Sequence, residues 1–80
     1  QTDYIELEVD DISRAGYLLE QKFGITNFKV ISGTKIEIYD LQKSVKELSA
    51  LLVQNGIGIA SIGMKKNSLE DYFFHIIEEV

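Results

Sequence analysis

No cysteine, proline or tryptophan occurs in these 80 residues, and methionine and histidine appear once each. Without cysteine there can be no disulfide, no thiolate metal site and no cysteine nucleophile, and the missing disulfide framework fits a reducing compartment. Long hydrophobic runs are absent too. The longest, Ile57 to Met64 with Ser61 inside it, falls far short of the ~20 residues a spanning helix needs, which argues against direct membrane insertion. Positive charge is scarce, with 8 basic against 13 acidic side chains and a formal net charge of −5. That balance opposes nucleic acid, whose phosphates demand a basic face, and an anionic membrane surface. What is present is ordinary for a folded chain: 45% apolar and 26% charged residues, enough for a single small domain spanning 1–80. The chain opens Gln1-Thr2-Asp3 without an initiating Met and enters a strand pattern at once, with no signal or transit segment before it. It reads as an excised fragment.

Tyr4-Ile5-Glu6-Leu7-Glu8-Val9 alternates strictly, which puts Ile5, Leu7 and Val9 on one face of a half-buried strand and Glu6 and Glu8 on the other. Asp10 or Asp11 caps a first helix whose stripe is Ile12, Gly16, Leu19 and Phe23, with Ala15 beside it, and Gly24 ends it. Gly16, inside that stripe, either lets the helix lie close to a sheet or is a tolerated neutral residue. Phe28–Ile31 and Lys35–Tyr39 form two strands joined through Ser32-Gly33-Thr34, a connection short enough to require an antiparallel hairpin. Asp40 then caps a second helix with the stripe Leu41, Val45, Leu48 and Leu52, closed by Asn55-Gly56. Ile57–Ile62, apolar at nearly every position, is a fourth strand, internal or covered. Ser68, with Asp71 three residues on, opens a last helix with apolar residues Leu69, Tyr72, Phe73, Ile76, Ile77 and Val80.

The order βαββαβ predicts an α+β protein: the ferredoxin-like sandwich of four antiparallel strands and two helices on one face, with an additional C-terminal helix. In that arrangement Ile5, Leu7, Val9, Ile36 and Ile38 face the helices. Glu6, Glu8, Lys35 and Glu37 make a solvated outer face on which Lys35 pairs with Glu6 or Glu8.

Chemistry is sparse. His75, with Asp71 and Glu79 a turn away on either side, offers one imidazole and two exposed carboxylates, too few ligands for zinc or non-haem iron. It reads as a surface histidine, and no Gly-x-Ser-x-Gly turn supplies a nucleophile. Gly58 and Gly63 have the spacing of a phosphate loop, but Met64 stands in the lysine position and Lys65-Lys66 is followed by no Ser or Thr. The helix that follows could still meet a phosphate through its first amides and Lys65-Lys66. The exception is the last helix. Phe74 lies beyond the edge of its stripe, so Tyr72-Phe73-Phe74 gives three consecutive aromatics that one small sheet cannot bury on one side. Phe74 therefore needs cover, from a partner surface or from a loop or the sheet's outer face.

From Gly56 the segment Gly-Ile-Gly-Ile-Ala-Ser-Ile, followed by Ser68-Leu69-Glu70-Asp71-Tyr72-Phe73, resembles the end of the ATP-binding subunits of bacterial ABC exporters, particularly the bacitracin and lantibiotic type. Those chains commonly close on Ser-Leu-Glu-Asp/Glu-Tyr/Val-Phe-Leu. The match covers roughly the last 25 residues, and here Phe74-His75 replaces the usual Leu and polar residue. The resemblance implies a parent chain whose nucleotide-binding domain uses ATP and Mg to drive export through a separate membrane permease. It places that parent in the cytoplasm, peripheral to the membrane, and implies that the helix carrying Leu69, Tyr72 and Phe73, with Phe74 at its edge, is an interface that packs between this domain and the parent domain or between two subunits. Within this fragment no cofactor site is expected: there is no complete Walker A motif, and Ile31-Ser32-Gly33-Thr34-Lys35 is similar only superficially to the Leu-Ser-Gly-Gly-Gln signature, sitting in a hairpin turn where the signature opens a helix.

Two readings of function follow. One is a non-catalytic C-terminal accessory domain that modulates contacts with the parent nucleotide-binding domain or forms a homodimer. The other is a small-ligand-binding regulatory module with an ACT-like βαββαβ fold, which rests on fold analogy. An enzyme active within this fragment has least support.

Overall fold

A computed structural model describes residues 3–66. The chain forms β1 (Tyr4–Val9), α1 (Ile12–Tyr17), β2 (Phe28–Val30), β3 (Lys35–Ile38), α2 (Val45–Gln54) and β4 (Ile59–Lys65). One four-stranded sheet results, in the order β2-β3-β1-β4, with every neighbouring pair antiparallel. The molecule is thus α+β with two helices among the described residues.

The sheet is sorted by its alternation. Ile5, Leu7 and Val9 of β1 and Ile36 and Ile38 of β3 are at most 2% exposed, and they form one cluster with Ala15, Leu18 and Leu19 from the first helical segment and Leu48 and Leu52 of α2. Both helices therefore cover the same face, as the alternating pattern predicts. On the other face Glu6, Glu8, Lys35 and Glu37 are half-buried rather than fully solvated. The register sets Lys35 opposite Glu8 and leaves Glu6 opposite Glu37, a like-charge pair that works against the sheet.

α1 starts where Asp11, not Asp10, accepts a hydrogen bond from the Arg14 amide at 3.1 Å. Beyond Tyr17 it widens into a π-helical turn over Leu18–Lys22, closed by the Phe23 amide donating five residues back to the Leu18 carbonyl at 2.9 Å. The wider turn brings Leu18 and Leu19 to the core together, and Ile12 and Phe23 are left only partly buried. Gly24, at φ +70°, then reverses the chain. Gly16 does not enforce a close approach: a methyl group there would meet only the Phe28 ring, at the ordinary contact distance of 4.0 Å.

α2 begins later than the apolar stripe predicts. Ser44 caps it, accepting from the Glu47 amide at 3.1 Å while the Glu47 carboxylate accepts from the Ser44 amide at 3.1 Å, a complete capping box. Asp40 instead accepts from the Gln42 amide at 3.1 Å, a local turn that leaves Leu41 outside the helix and exposed. At the far end Gly56, at φ +84°, lets the Gly56 amide reach the Val53 carbonyl and the Ile57 amide reach the Leu52 carbonyl, both at 3.0 Å. This Schellman closure buries Ile57 beside Leu52.

The fourth strand departs most from expectation. It spans Ile59–Lys65 rather than Ile57–Ile62 and lies at an edge of the sheet, so it is not internal. Ala60 is an extra residue between the Ile59–Val9 and Ser61–Glu8 pairs, a bulge beside the rim of the sheet. The second strand is shorter than predicted, because Ile31 belongs to the turn, where its amide donates to the Lys35 carbonyl at 2.8 Å. The predicted last helix, with His75 and the phosphate-receiving start at Ser68, falls outside the described residues.

Candidate interaction surface

Every buried side chain among the described residues is apolar. No group of three or more His, Asp or Glu side chains among them is placed to share a metal ion. Gly63, expected as one end of a glycine-spaced phosphate loop, lies inside β4 opposite Glu6, so this stretch is committed to the sheet ladder. What the described residues offer is surface.

An open apolar stretch lies where α1 passes over edge strand β2. Phe28 and Val30 point to the helix side, since they pair with Ile38 and Ile36, yet Val30 is 53% exposed and Tyr17 of α1 is 61% exposed. Between them runs an open groove of about 390 Å³ lined also by Ile12 and Gly16, with Glu20 and Gln21 on its rim. No alternating pattern announces this groove. Its signals are small: Val30 shares the inward face with Phe28, and Tyr17 follows Gly16 off the helical stripe.

A second depression of about 380 Å³ sits beside the β4 bulge, between Asp10, Thr34 and Gly58. Its floor is tied together. The Gly58 amide donates to the Asp10 carboxylate and the Asp10 amide to the Gly58 carbonyl, both at 3.0 Å, and the Thr34 hydroxyl donates to Glu8 at 3.3 Å. A methyl group at Gly58 would be driven into the Asp10 carboxylate, whose carbon lies 3.0 Å from where that methyl would stand.

The helices are joined by charge. Arg14 donates to the Asn55 carbonyl from two guanidinium nitrogens, each at 3.4 Å, and the Lys22 ammonium donates to the Asn55 side-chain oxygen at 2.8 Å. Two cations thus meet the carbonyl end of α2, where the helix dipole favours them. On the outer sheet face the Tyr4 and Tyr39 rings lie tilted at 49°, 5.7 Å apart, and the Tyr39 hydroxyl donates to the Glu37 carboxylate. That hydrogen bond, with partial burial and the Glu37 charge behind it, raises the Tyr39 pKa above its ordinary 10.0. In α2 the capping box acts in the opposite direction, since hydrogen bonds from Ser44 lower the Glu47 pKa below its ordinary 4.5.

The interface expected at Leu69, Tyr72, Phe73 and Phe74 lies outside the described residues. The exposed apolar side chains Tyr17, Val30 and Met64 are surface that sequence reasoning did not single out.

No protein-family model and no solved structure matches the chain. Curated relatives do. The chain is 40% identical over 76 residues to the uncharacterized ABC transporter ATP-binding protein YcbN of Bacillus subtilis (strain 168), covering 95% of this chain and 25% of that protein. It is 36% identical over 74 residues to the bacitracin transport ATP-binding protein BcrA of Bacillus licheniformis, and 39% identical over 74 residues to BcrA of Enterococcus faecalis. Each of those matches covers 92% of this chain and 24% of the relative. The chain therefore spans about a quarter of the length of the relatives it matches. All three are transporter ATP-binding proteins, and none lends support to a ligand module with an ACT-like fold. Along nearly its whole length, this chain is a homologue of a segment of the ABC transporter ATP-binding proteins.

Proposed function

We propose that the chain is a non-catalytic C-terminal accessory domain of an ABC exporter's ATP-binding subunit. The observation that carries this reading is the asymmetry of coverage: 92–95% of this chain aligns with only 24–25% of each relative. The nucleotide-binding machinery then belongs to the remaining three quarters of a parent chain, where ATP and Mg would be held. The parent hydrolyses ATP to drive export of an antibiotic or peptide through a membrane permease, and it sits in the cytoplasm against that permease. No helix among the described residues is long and apolar enough to cross a membrane. The proposed architecture is the ferredoxin-like sandwich, supported by the element order β1-α1-β2-β3-α2-β4 and the strand order β2-β3-β1-β4.

In this role the domain adjusts contacts between subunits, through a homodimer or against the parent nucleotide-binding domain, with Leu69, Tyr72, Phe73 and Phe74 as the packing element. The test is removal of these 80 residues from the parent chain. The expected result is a changed ATPase rate or dimerisation constant and altered drug resistance. Unchanged values of all three contradict a regulatory role.

A further inference from the structure

We propose that the open helix-side edge at β4, around Met64, is the docking site for the chain's own segment 67–80. One row of apolar residues crosses the helix side of the sheet, Phe28–Ile38–Ile5–Met64. Its two central members are fully buried, whereas Met64 is 44% exposed and no described strand pairs beyond it. The core is thus uncovered at the end where the chain leaves the sheet. Segment 67–80 starts two residues past Lys65, the last residue of β4. Fourteen residues reach up to roughly 46–50 Å, while a four-stranded sheet is only about 14 Å wide, so length does not limit where the segment lies.

Composition selects this segment as the occupant. Seven of its fourteen residues are large and apolar, among them Leu69, Tyr72, Phe73 and Ile76, more than a short stretch leaves in water without a partner. It also holds four of the thirteen carboxylates, Glu70, Asp71, Glu78 and Glu79, and none of the eight Lys and Arg side chains. Four of those eight gather at the Met64 end of the sheet. Lys65 and Lys66 follow Met64 directly, and Lys43 and Lys46 flank the start of α2, which leaves β3 at that same end because Ile38 lies in the Met64 row. An apolar, acidic segment begins beside an uncovered apolar edge that Lys65 and Lys66 follow directly, at an end of the sheet where Lys43 and Lys46 are accompanied by Asp3, Asp40 and Glu47. The inference does not depend on the parent-chain reading, but it gives the predicted interface a division of labour: the stripe residues cover the Met64 edge and Phe74, off the stripe, is left for a partner.

Hydrogen exchange of the intact 80-residue chain tests this. Amides of 69–80 are expected to exchange roughly tenfold or more slowly than in an unstructured peptide, equally at low and high protein concentration. Protection should fall in Met64→Asp and in the pair Lys65→Glu with Lys66→Glu, while β1 and β3 amides stay protected and report an intact fold. Free exchange of 69–80 overturns the proposal, as does protection that grows with concentration, which assigns the segment to a second copy. Full protection in Met64→Asp with the strands intact overturns it too, by placing the segment elsewhere.

Discussion

The two central strands and the two edge strands of this sheet are built by different rules. In β1 and β3 buried and half-buried residues alternate without exception along Tyr4–Val9 and again along Lys35–Ile38, and their inward side chains are essentially unexposed. In β2 and β4 the alternation collapses: Val30 and Met64 point to the helix side yet remain about half exposed. Central positions are covered on both flanks by neighbouring strands and from above by both helices. Edge positions depend on what else reaches them. The difference teaches where this protein keeps its stability and where it has surface to offer.

Five substitutions sharpen that contrast. Leu7→Ala, at the centre, should cost about 2–5 kcal/mol in chemical denaturation, whereas Met64→Ala at the β4 edge should cost about 1 kcal/mol or less. Equal penalties would erase the distinction between centre and edge. Gly58→Ala, where β4 begins, should cost roughly 1–3 kcal/mol because its methyl collides with Asp10. That penalty should shrink in an Asp10→Ala background, a coupling a double-mutant cycle measures directly. Ser44→Ala, which removes the cap of α2, should lose about 1 kcal/mol. Gly16→Ala, beside the β2 edge, should have the smallest effect and the opposite sign, a gain of roughly 0.5–1 kcal/mol from helix propensity, since the new methyl meets only Phe28 at 4.0 Å.

The capping box also sets a pH dependence. Glu47 has its folded-state pKa lowered by the Ser44 hydrogen bonds, so its contribution is complete above the ordinary carboxylate value and is lost as pH falls through the lower, folded-state value. Tyr39 titrates with the other sign. Its raised pKa means that the stabilisation is complete below the ordinary tyrosine value of 10.0 and is lost as pH rises through the folded-state value. Acid titration of unfolding in wild type and Glu47→Gln should therefore show the gap between the two stabilities closing as pH falls through the carboxylate range, with a constant gap contradicting the assignment.

The same contrast explains what could be read from the residues alone. Period-2 alternation marked β1 and β3 to the correct face, because a strand with one buried side carries that pattern in its own sequence. Glycine after each helix marked both helix ends, and Gly24 and Gly56 adopt the positive φ that only glycine takes without strain. The edge status of β4 was not legible: Ile57–Ile62 reads as a covered strand, and only the pairing with β1 alone leaves it outside. The start of α2 was misplaced because Asp40 and Leu41 fit a helical pattern, although Ser44 and Glu47 three residues apart carry the stronger signal. The π-helical turn has no sequence signature here, and it shifts which residues of the first helical segment reach the core. The groove between Tyr17, Phe28 and Val30 arises from packing between elements distant in the chain, so no single segment encodes it. The terminal motif did point to the transporter ATP-binding proteins that the full-length comparison also reaches.

The claim that this domain is one part of a larger ATP-binding subunit is tested most directly by reading the coding frame upstream of Gln1. The account predicts Gly-x-x-x-x-Gly-Lys-Ser/Thr followed by a Leu-Ser-Gly-Gly-Gln signature in the same frame. A start codon immediately before Gln1 would contradict it.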